Sequence, residues 1–483
     1  MAVRDTSALG TRTIRGVMWS YASLAGVRLL VLASTAVLAR LLTPHEFGLV
    51  ALALIFTTVF DALRDLGFNQ ALIVAKPEEV DREAETAFRF TLLIGVVLAA
   101  VVAAISPLAA DFFRQPELLA LLAVLGLNLP LRSLGLTHYA LAQRRLDFRS
   151  RTGAEVAEVI LRGGVGIGLA VAGKGPWSLV LGYLAGTLAW SIALWVLVRW
   201  RPSLRGRRGH VSTLIRFGGP LTAVSLIGVG MSYVDNLFVG RVLGATALGT
   251  YALGYRLPEM VIVEMVTAVG LVLFPAFAQL DGDALRRALI ATSRYSMLLM
   301  LPLAAALFVL AGPLVAALFG PRWHAAVPVV RILSVGFMGG PLSQVSGNAF
   351  LATRRVGVML RLAVPQAILL VTLIAIFVDH GIAAVAACQA GTRVLFAAIA
   401  LVVAIRVFDL SPRELWNASL PAIVATAGMV AVIVPLEHAI HSPWPALLAC
   451  SLVGGTAYLG LVWLFARDSL RALWAMARPR ASV

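Results

Sequence analysis

Thr91-Leu92-Leu93-Ile94-Gly95-Val96-Val97-Leu98-Ala99-Ala100-Val101-Val102-Ala103-Ala104-Ile105 carries no charged side chain over about four helical turns. With Phe88, Arg89 and Phe90 it approaches the roughly 20 mostly apolar residues that a helix needs to cross the hydrocarbon core of a bilayer. Comparable runs lie on both sides of it. The full set of expected spans is 14–38, 48–74, 88–105, 118–142, 153–173, 177–198, 214–240, 248–278, 288–310, 326–353, 358–378, 381–405, 417–435 and 444–465. The pattern predicts an all-α polytopic membrane protein of about 14 transmembrane helices. Composition agrees: 60% of the 483 residues are hydrophobic and 13% charged, where soluble domains carry about 25% charge.

The distribution of positive charge orients these spans. The chain holds 40 lysines and arginines against 24 acids, and Lys76 and Lys174 are its only lysines. With the N-terminus in the cytoplasm, 28 of the 40 fall on the cytoplasmic side and five on the other; seven lie inside spans. That asymmetry is the positive-inside rule. It predicts an even helix count with both termini in the cytoplasm, in a membrane of the inner-membrane type. The net charge of +16 therefore reads as topology and not as nucleic-acid binding, since no soluble stretch is long enough for a nucleic-acid module. The first run exceeds signal-peptide length and contains Arg28, so it is expected to remain as a helix. Cys388 and Cys450 both sit in apolar runs and form no disulfide framework or zinc pattern.

The longest connection, 199–213, contains Arg205-Gly206-Arg207-Arg208-Gly209 and separates six helices from eight. The expected divisions are residues 1–210 (helices 1–6), 211–410 (helices 7–12) and 411–483 (a terminal helix pair and tail). A short repeat supports them. Arg40-Leu41-Leu42-Thr43-Pro44-His45-Glu46-Phe47-Gly48 is followed by Ala51-Leu52. Arg241-Val242-Leu243-Gly244-Ala245-Thr246-Ala247-Leu248-Gly249 is followed, at the same offset, by Ala252-Leu253. Each joins the first two helices of a six-helix unit, so the repeat is parallel, about an axis along the membrane normal.

Enzyme motifs are missing, and neither a catalytic residue nor a cofactor is expected. Gly168-Leu169-Ala170-Val171-Ala172-Gly173-Lys174-Gly175 lacks the final Ser/Thr of a phosphate-binding loop. The glycines of Gly163-Gly164-Val165-Gly166-Ile167-Gly168 suit close helix packing instead. His438 and His441 have ligand spacing, but only Glu437 accompanies them, so no metal site is expected.

The informative residues are charges inside spans: Arg28, Arg64, Arg132, Arg162, Arg256, Arg331 and Arg393, with Asp61, Asp65, Asp235, Glu259 and Glu264, and Glu155 and Glu158 nearer a helix end. A charge at mid-bilayer costs at least ~2.5–3.5 kcal/mol on insertion scales, so it faces a partner or a watery cavity. Asp61–Arg64, Arg256–Glu259 and Glu158–Arg162 are spaced to pair along one helix face. Arg132, Arg331 and Arg393 have no acidic neighbour in sequence; Arg331 is placed to snorkel to the outer interface. Arg28, Arg64 and Arg256 are the candidate substrate-binding residues, as a staggered cationic lining for an anion. Asp61, Asp65, Asp235, Glu259 and Glu264 are candidates for coupling or pairing, with H+ or Na+ as counter-ion. Glycines and prolines at Gly218-Gly219-Pro220, Pro258, Pro302, Gly339-Gly340-Pro341 and Pro365 predict bent helices.

Leu38-Ala39-Arg40-Leu41-Leu42-Thr43-Pro44-His45-Glu46-Phe47-Gly48-Leu49-Val50-Ala51-Leu52-Ala53 resembles the first-loop signature of bacterial polysaccharide exporters. Asp65-Leu66-Gly67-Phe68-Asn69-Gln70-Ala71-Leu72-Ile73 and Asn348-Ala349-Phe350-Leu351-Ala352-Thr353-Arg354-Arg355 are similar to the same family's patterns. The family is the oligosaccharide flippase branch of the multidrug/oligosaccharidyl-lipid/polysaccharide exporter superfamily. The resemblance implies two six-helix lobes in a V around a central cavity, plus a C-terminal helix pair. It implies alternating-access transfer of an undecaprenyl-diphosphate-linked oligosaccharide to the periplasmic leaflet, for capsule, O-antigen or exopolysaccharide. It also implies cationic residues on helices one, two and eight, which map by position onto Arg28, Arg64 and Arg256. The partners are then the lipid-linked substrate, membrane lipid and a polysaccharide polymerase. Competing readings are a peptidoglycan-precursor flippase, a cation-coupled multidrug exporter and, from a different class, a membrane polysaccharide polymerase or ligase. The outward loop around 312–325 offers a polymerase or ligase only Arg322 and His324.

Overall fold

The structure is a computed structural model that describes residues 26–65, 72, 78–203, 222, 226, 228–263, 273, 277–465 and 467. Among these residues every regular element is helical. Two compact units partition the chain, Met1–Gly249 and Thr250–Val483. Most of the expected connection at 199–213, Gly218-Gly219-Pro220 and Glu264 lie outside the described residues.

The first unit begins with α1 (26–41) and α2 (Pro44–Asp65). The sequence Thr43-Pro44-His45-Glu46 sets the start of α2. Thr43 N and Oγ1 donate to Glu46 Oε2 at 2.6 and 2.9 Å, and Glu46 N donates back to Thr43 Oγ1 at 3.3 Å. This is a capping box with proline in the first turn, where its missing N–H costs nothing. There follow α3 (Val80–Phe113), α4 (Glu117–Leu125), α5 (Asn128–Arg144), α6 (Phe148–Val171) and α7 (Pro176–Leu197). The unit closes with α8 (228–238), a π-helical turn Val239–Leu243 and the first turn of α9 (Ala245–Pro258).

Helix α6 lies along α7, and α5 packs on α3 and α7. A core of Phe88, Ala140, Leu141, Trp190, Leu194 and Trp200 joins these helices. The outward faces are as apolar as the core: Leu93, Leu108, Val171 and Val196 are 59–71% exposed. Such large bare apolar surfaces fit lipid as the solvent, not water.

In the second unit α9 ends at a π-helical turn, Glu259–Val263, immediately after Pro258. It is followed by α10 (Gly282–Val309), α11 (Ala311–Leu318), α12 (Val327–Phe337), α13 (Gly340–Ala352), α14 (Val356–Phe377), α15 (Ile382–Val407), α16 (Pro412–Ala439) and α17 (Pro443–Phe465). Helices α16 and α17 pack as a hairpin, and α16 docks on α10. Helices α12 and α13 meet at 43° where the sequence reads Gly339-Gly340-Pro341. At Asp379-His380-Gly381 the chain forms a short 3-10 turn, and Gly381 takes a φ of 95° that an L side chain rarely adopts.

Among the described residues nine helices are long and apolar enough to cross a membrane, and the bent α12–α13 pair makes a tenth. The chain is thus a multi-pass membrane protein. Several helices outrun their apolar stretch: α10 starts at Gly282 and α16 at Pro412, where hydropathy places starts near 288 and 417. Hydropathy registers only the part in hydrocarbon, whereas the backbone hydrogen bonds continue into the polar interface.

Asp147 caps α6. Its carboxylate accepts from Ser150 N at 3.1 Å and Ser150 Oγ at 2.6 Å. Burial alone would raise its pKa, but the Ser150 hydrogen bonds and nearby Arg145 outweigh it and hold the carboxyl below the usual aspartate value. A carboxylate with a depressed folded pKa stabilises above its unfolded pKa, and that contribution is lost as pH falls through the folded pKa. Asp147→Ala is expected to cost about 0.5–2 kcal/mol at neutral pH. The wild-type advantage over the variant should vanish in thermal melts at pH below the ordinary aspartate range.

Candidate intramembrane charge site

The charged residues of the first unit converge from three helices and lie against a fourth. Arg64, in the last turn of α2, is buried, with only 4% of its side chain exposed. Its Nη1 donates to the Leu129 carbonyl of α5 at 3.1 Å and lies 3.3 Å from Asp61 Oδ1. One turn along α5, Arg132 Nη1 donates to Glu158 Oε1 of α6 at 3.1 Å. Arg162, one turn further along α6, donates to that same oxygen. Glu158 is therefore shared by two guanidiniums. Asp61 lies within electrostatic reach of Arg64, Arg132 and Glu158, so the five groups form one network. Three arginines against two carboxylates leave it net positive.

Aromatic rings of α7 complete the site. The Arg132 guanidinium lies 4.4 Å from the Trp190 ring centroid and that of Arg162 lies 4.2 Å from Tyr183. Each cation thus has a carboxylate at its edge and a π face beneath it, contacts that offset part of the cost of withdrawing a charge from water. Glycines allow this proximity. A Cβ at Gly182 or Gly186 of α7 would come within 2.8 Å of the backbone carbonyl of Arg162 or Glu158. This is a small-xxx-small helix contact. Gly163 likewise admits Ser34 of α1, whereas Gly164 and Gly168 meet nothing within 4 Å. Of the glycine run in α6, only part serves packing.

Arg28 belongs to the same neighbourhood. It is half-buried on α1 and acts electrostatically on Glu155 of α6. Glu155 Oε1 accepts a 3.4 Å hydrogen bond from Tyr139 Oη, which in turn accepts from Arg151 Nη2 at 2.7 Å. Asp235 is fully buried on α8, and its Oδ1 accepts from Asn236 N at 2.8 Å. Asp65 ends α2.

In the second unit Arg256 Nη1 pairs with Glu259 Oε2 at 3.2 Å, with both side chains over a third exposed. Beside it, Arg393 Nη2 donates to Tyr255 Oη at 2.8 Å and lies 4.6 Å from the Phe337 ring centroid. Arg331 is exposed, in keeping with snorkelling.

The three pairs expected from spacing along a single helix all form. The structure departs from expectation elsewhere. Arg132, without an acid nearby in sequence, has Glu158 across a helix hairpin, and Glu158 sits mid-helix and buried rather than near a helix end. The signal was present: Arg132 and Glu158 lie equally far on either side of Arg145, hence at equal depth on antiparallel neighbours. Arg64 is enclosed by protein, while Arg132 and Arg162 keep 29% and 34% of their side chains open. Among the described residues no three potential metal ligands cluster.

The family described as "Polysaccharide biosynthesis protein" matches residues 37–328. The chain is 27% identical over 380 residues to the lipopolysaccharide biosynthesis protein WzxC of Escherichia coli (strain K12), covering 76% of each chain. It is 28% identical over 333 residues to the succinoglycan biosynthesis transport protein ExoT of Rhizobium meliloti (strain 1021), covering 68% of this chain and 67% of that one. In fold it is similar to the lipid II flippase MurJ in an inward closed conformation. The TM-score is 0.76 at 15% identity, over 94% of this chain and 100% of that one. It is also similar to an inward-facing MATE multidrug transporter of the MOP superfamily, with TM-score 0.63 at 16% identity, over 79% and 94% of the two chains.

Proposed function

The chain belongs to the polysaccharide biosynthesis protein family, and from that premise we propose that it is a flippase. Its cargo is an undecaprenyl-diphosphate-linked oligosaccharide, moved by alternating access to the periplasmic leaflet of the bacterial inner membrane for surface polysaccharide assembly. The names of its relatives, one a transport protein for succinoglycan and one a lipopolysaccharide biosynthesis protein, support this reading. The observation that carries it is the net-positive network of Arg64, Arg132 and Arg162 around Asp61 and Glu158, carried on α2, α5 and α6, of which α2 and α5 belong to stretches long and apolar enough to cross a membrane. Such charge, costly in lipid, suits a path for an anion. Guanidinium offers phosphate oxygens a planar fork and stays charged at cellular pH.

Arg132 and Arg162 take the diphosphate on their open faces, together with Arg28. Arg64 fixes α2 to α5 and supplies field without direct contact. Arg256 offers a second cationic station in its own unit, where Glu259 competes for it and favours release. Protonation or Na+ binding at Asp61 or Glu259 would free these arginines for cargo. The work is transport, not catalysis. The polysaccharide reading is preferred over a peptidoglycan-precursor flippase because sequence likeness is greater to the polysaccharide relatives than to the lipid II flippase.

Expression in a strain deleted for its own flippase tests this: export of the surface glycan should return, and its absence at normal protein levels would overturn the assignment. The topology, 14 spans with both ends cytoplasmic, has its own test. A periplasm-active reporter fused after Arg208 or Arg480 should be silent, and one after Pro443 active. Activity at Arg480 would rule out an even count.

A further inference from the structure

Helices α10 and α16 start side by side, and between their first turns lies a cavity of ≈ 580 Å³. Asp283, Arg286, Arg287 and Arg294 line it from α10, and Glu414 and Asn417 from α16. Arg286 is engaged: its Nη2 lies 3.0 Å from both oxygens of Glu414. Arg287 and Arg294 project from the same helix face, seven residues apart. Among the described residues neither side chain forms an ion pair or hydrogen bond.

Three guanidiniums against two carboxylates leave the walls with one net positive charge. Both helices also direct their positive N-terminal ends at this level. Apolar side chains adjoin the cavity along α16. Leu420 and Val424 stand three and seven residues beyond Asn417, hence on its face of α16, and each is 39% exposed. Trp416, adjacent and 59% exposed, is the kind of side chain that settles at a membrane interface.

We propose that this cavity holds the headgroup of an anionic bilayer phospholipid. Arg287 and Arg294 take its phosphodiester, and an acyl chain lies along Leu420 and Val424. The single surplus charge matches one phosphodiester, whereas a diphosphate would leave negative charge uncompensated. Basic pockets between helix ends at a membrane surface suit such headgroups. The proposal depends on the chain spanning a membrane and not on which cargo it carries.

The test is native mass spectrometry of the full-length, delipidated protein with phosphatidylglycerol or phosphatidylethanolamine of matched chains. Inorganic phosphate and farnesyl diphosphate serve as competitors. Wild type should retain phosphatidylglycerol preferentially. Arg287→Gln should weaken that retention about fivefold, and Arg287→Gln with Arg294→Gln more strongly. Arg287 is exposed, so the single variant remains informative if the double variant folds poorly. Arg114→Gln with Arg322→Gln, remote in sequence, should leave retention unchanged. Equal retention of the two lipids, or undiminished preference in Arg287→Gln, would overturn the proposal. So would displacement of phosphatidylglycerol by equimolar farnesyl diphosphate, which would assign the site to cargo, or by inorganic phosphate, which would assign it to a free anion.

Discussion

Glu158→Leu should remove most of the folded protein from the membrane fraction. Glu158 Oε1 is the common acceptor for Arg132 and Arg162, and the residue is buried. Leucine leaves two neighbouring cations without their shared anion. Removing one partner of a buried ion pair costs about 3–5 kcal/mol. The partial exposure of both arginines puts the effect toward the lower end of that range. Adding Arg132→Met should recover yield, because the remaining cation then retains its stacking on Tyr183 without a like charge beside it. Quantitative membrane immunoblots with size-exclusion profiles measure both. Normal yield of the single variant would mean that water already screens the network.

Gly48→Val should be nearly as damaging. An added Cβ at Gly48 would fall on the Ala245 carbonyl, and one at Gly249 on the Pro44 carbonyl. The two first turns of the repeat therefore cross backbone against backbone, at the two glycines that the sequence repeat aligns. Neither obstruction is a flexible side chain, so relief requires moving a helix. Overpacking of this kind costs about 1–3 kcal/mol or more. Ala51→Val, three residues on and half-buried, adds comparable volume without that collision and serves as the control. Equal yields of the two variants would remove the crossing from the account.

Local chemistry made much of this legible from sequence. Apolar runs located the nine helices, and the bent α12–α13 pair, that among the described residues are long and apolar enough to cross a membrane. Gly339-Gly340-Pro341 announced the α12–α13 bend, and the repeat singled out Gly48 and Gly249. Pairs such as Asp61–Arg64 followed from helix geometry alone. What stayed hidden depends on which helices become neighbours. The Arg64 contact with the Leu129 carbonyl, the Glu158 bridge between α5 and α6 and the Arg286–Glu414 link each join different helices. Periodicity within one helix carries no information about such partners. Hence Arg28, Arg64 and Arg256 stood out in sequence, while Arg132 and Arg162 emerged as open cations only when α5, α6 and α7 were assembled.

The most direct test of the cationic path is glycan export in a flippase-null strain carrying Arg28→Ala, Arg132→Ala, Arg162→Ala or Arg256→Ala, with inserted protein quantified alongside. Deleting an intramembrane charge does not itself penalise insertion. The account predicts export abolished or severely reduced at near-normal protein levels, with each Arg→Lys counterpart partly active because it keeps the charge but loses the fork. Normal export by all four alanine variants at normal protein levels would contradict it, and would reduce these arginines to structural ion pairs.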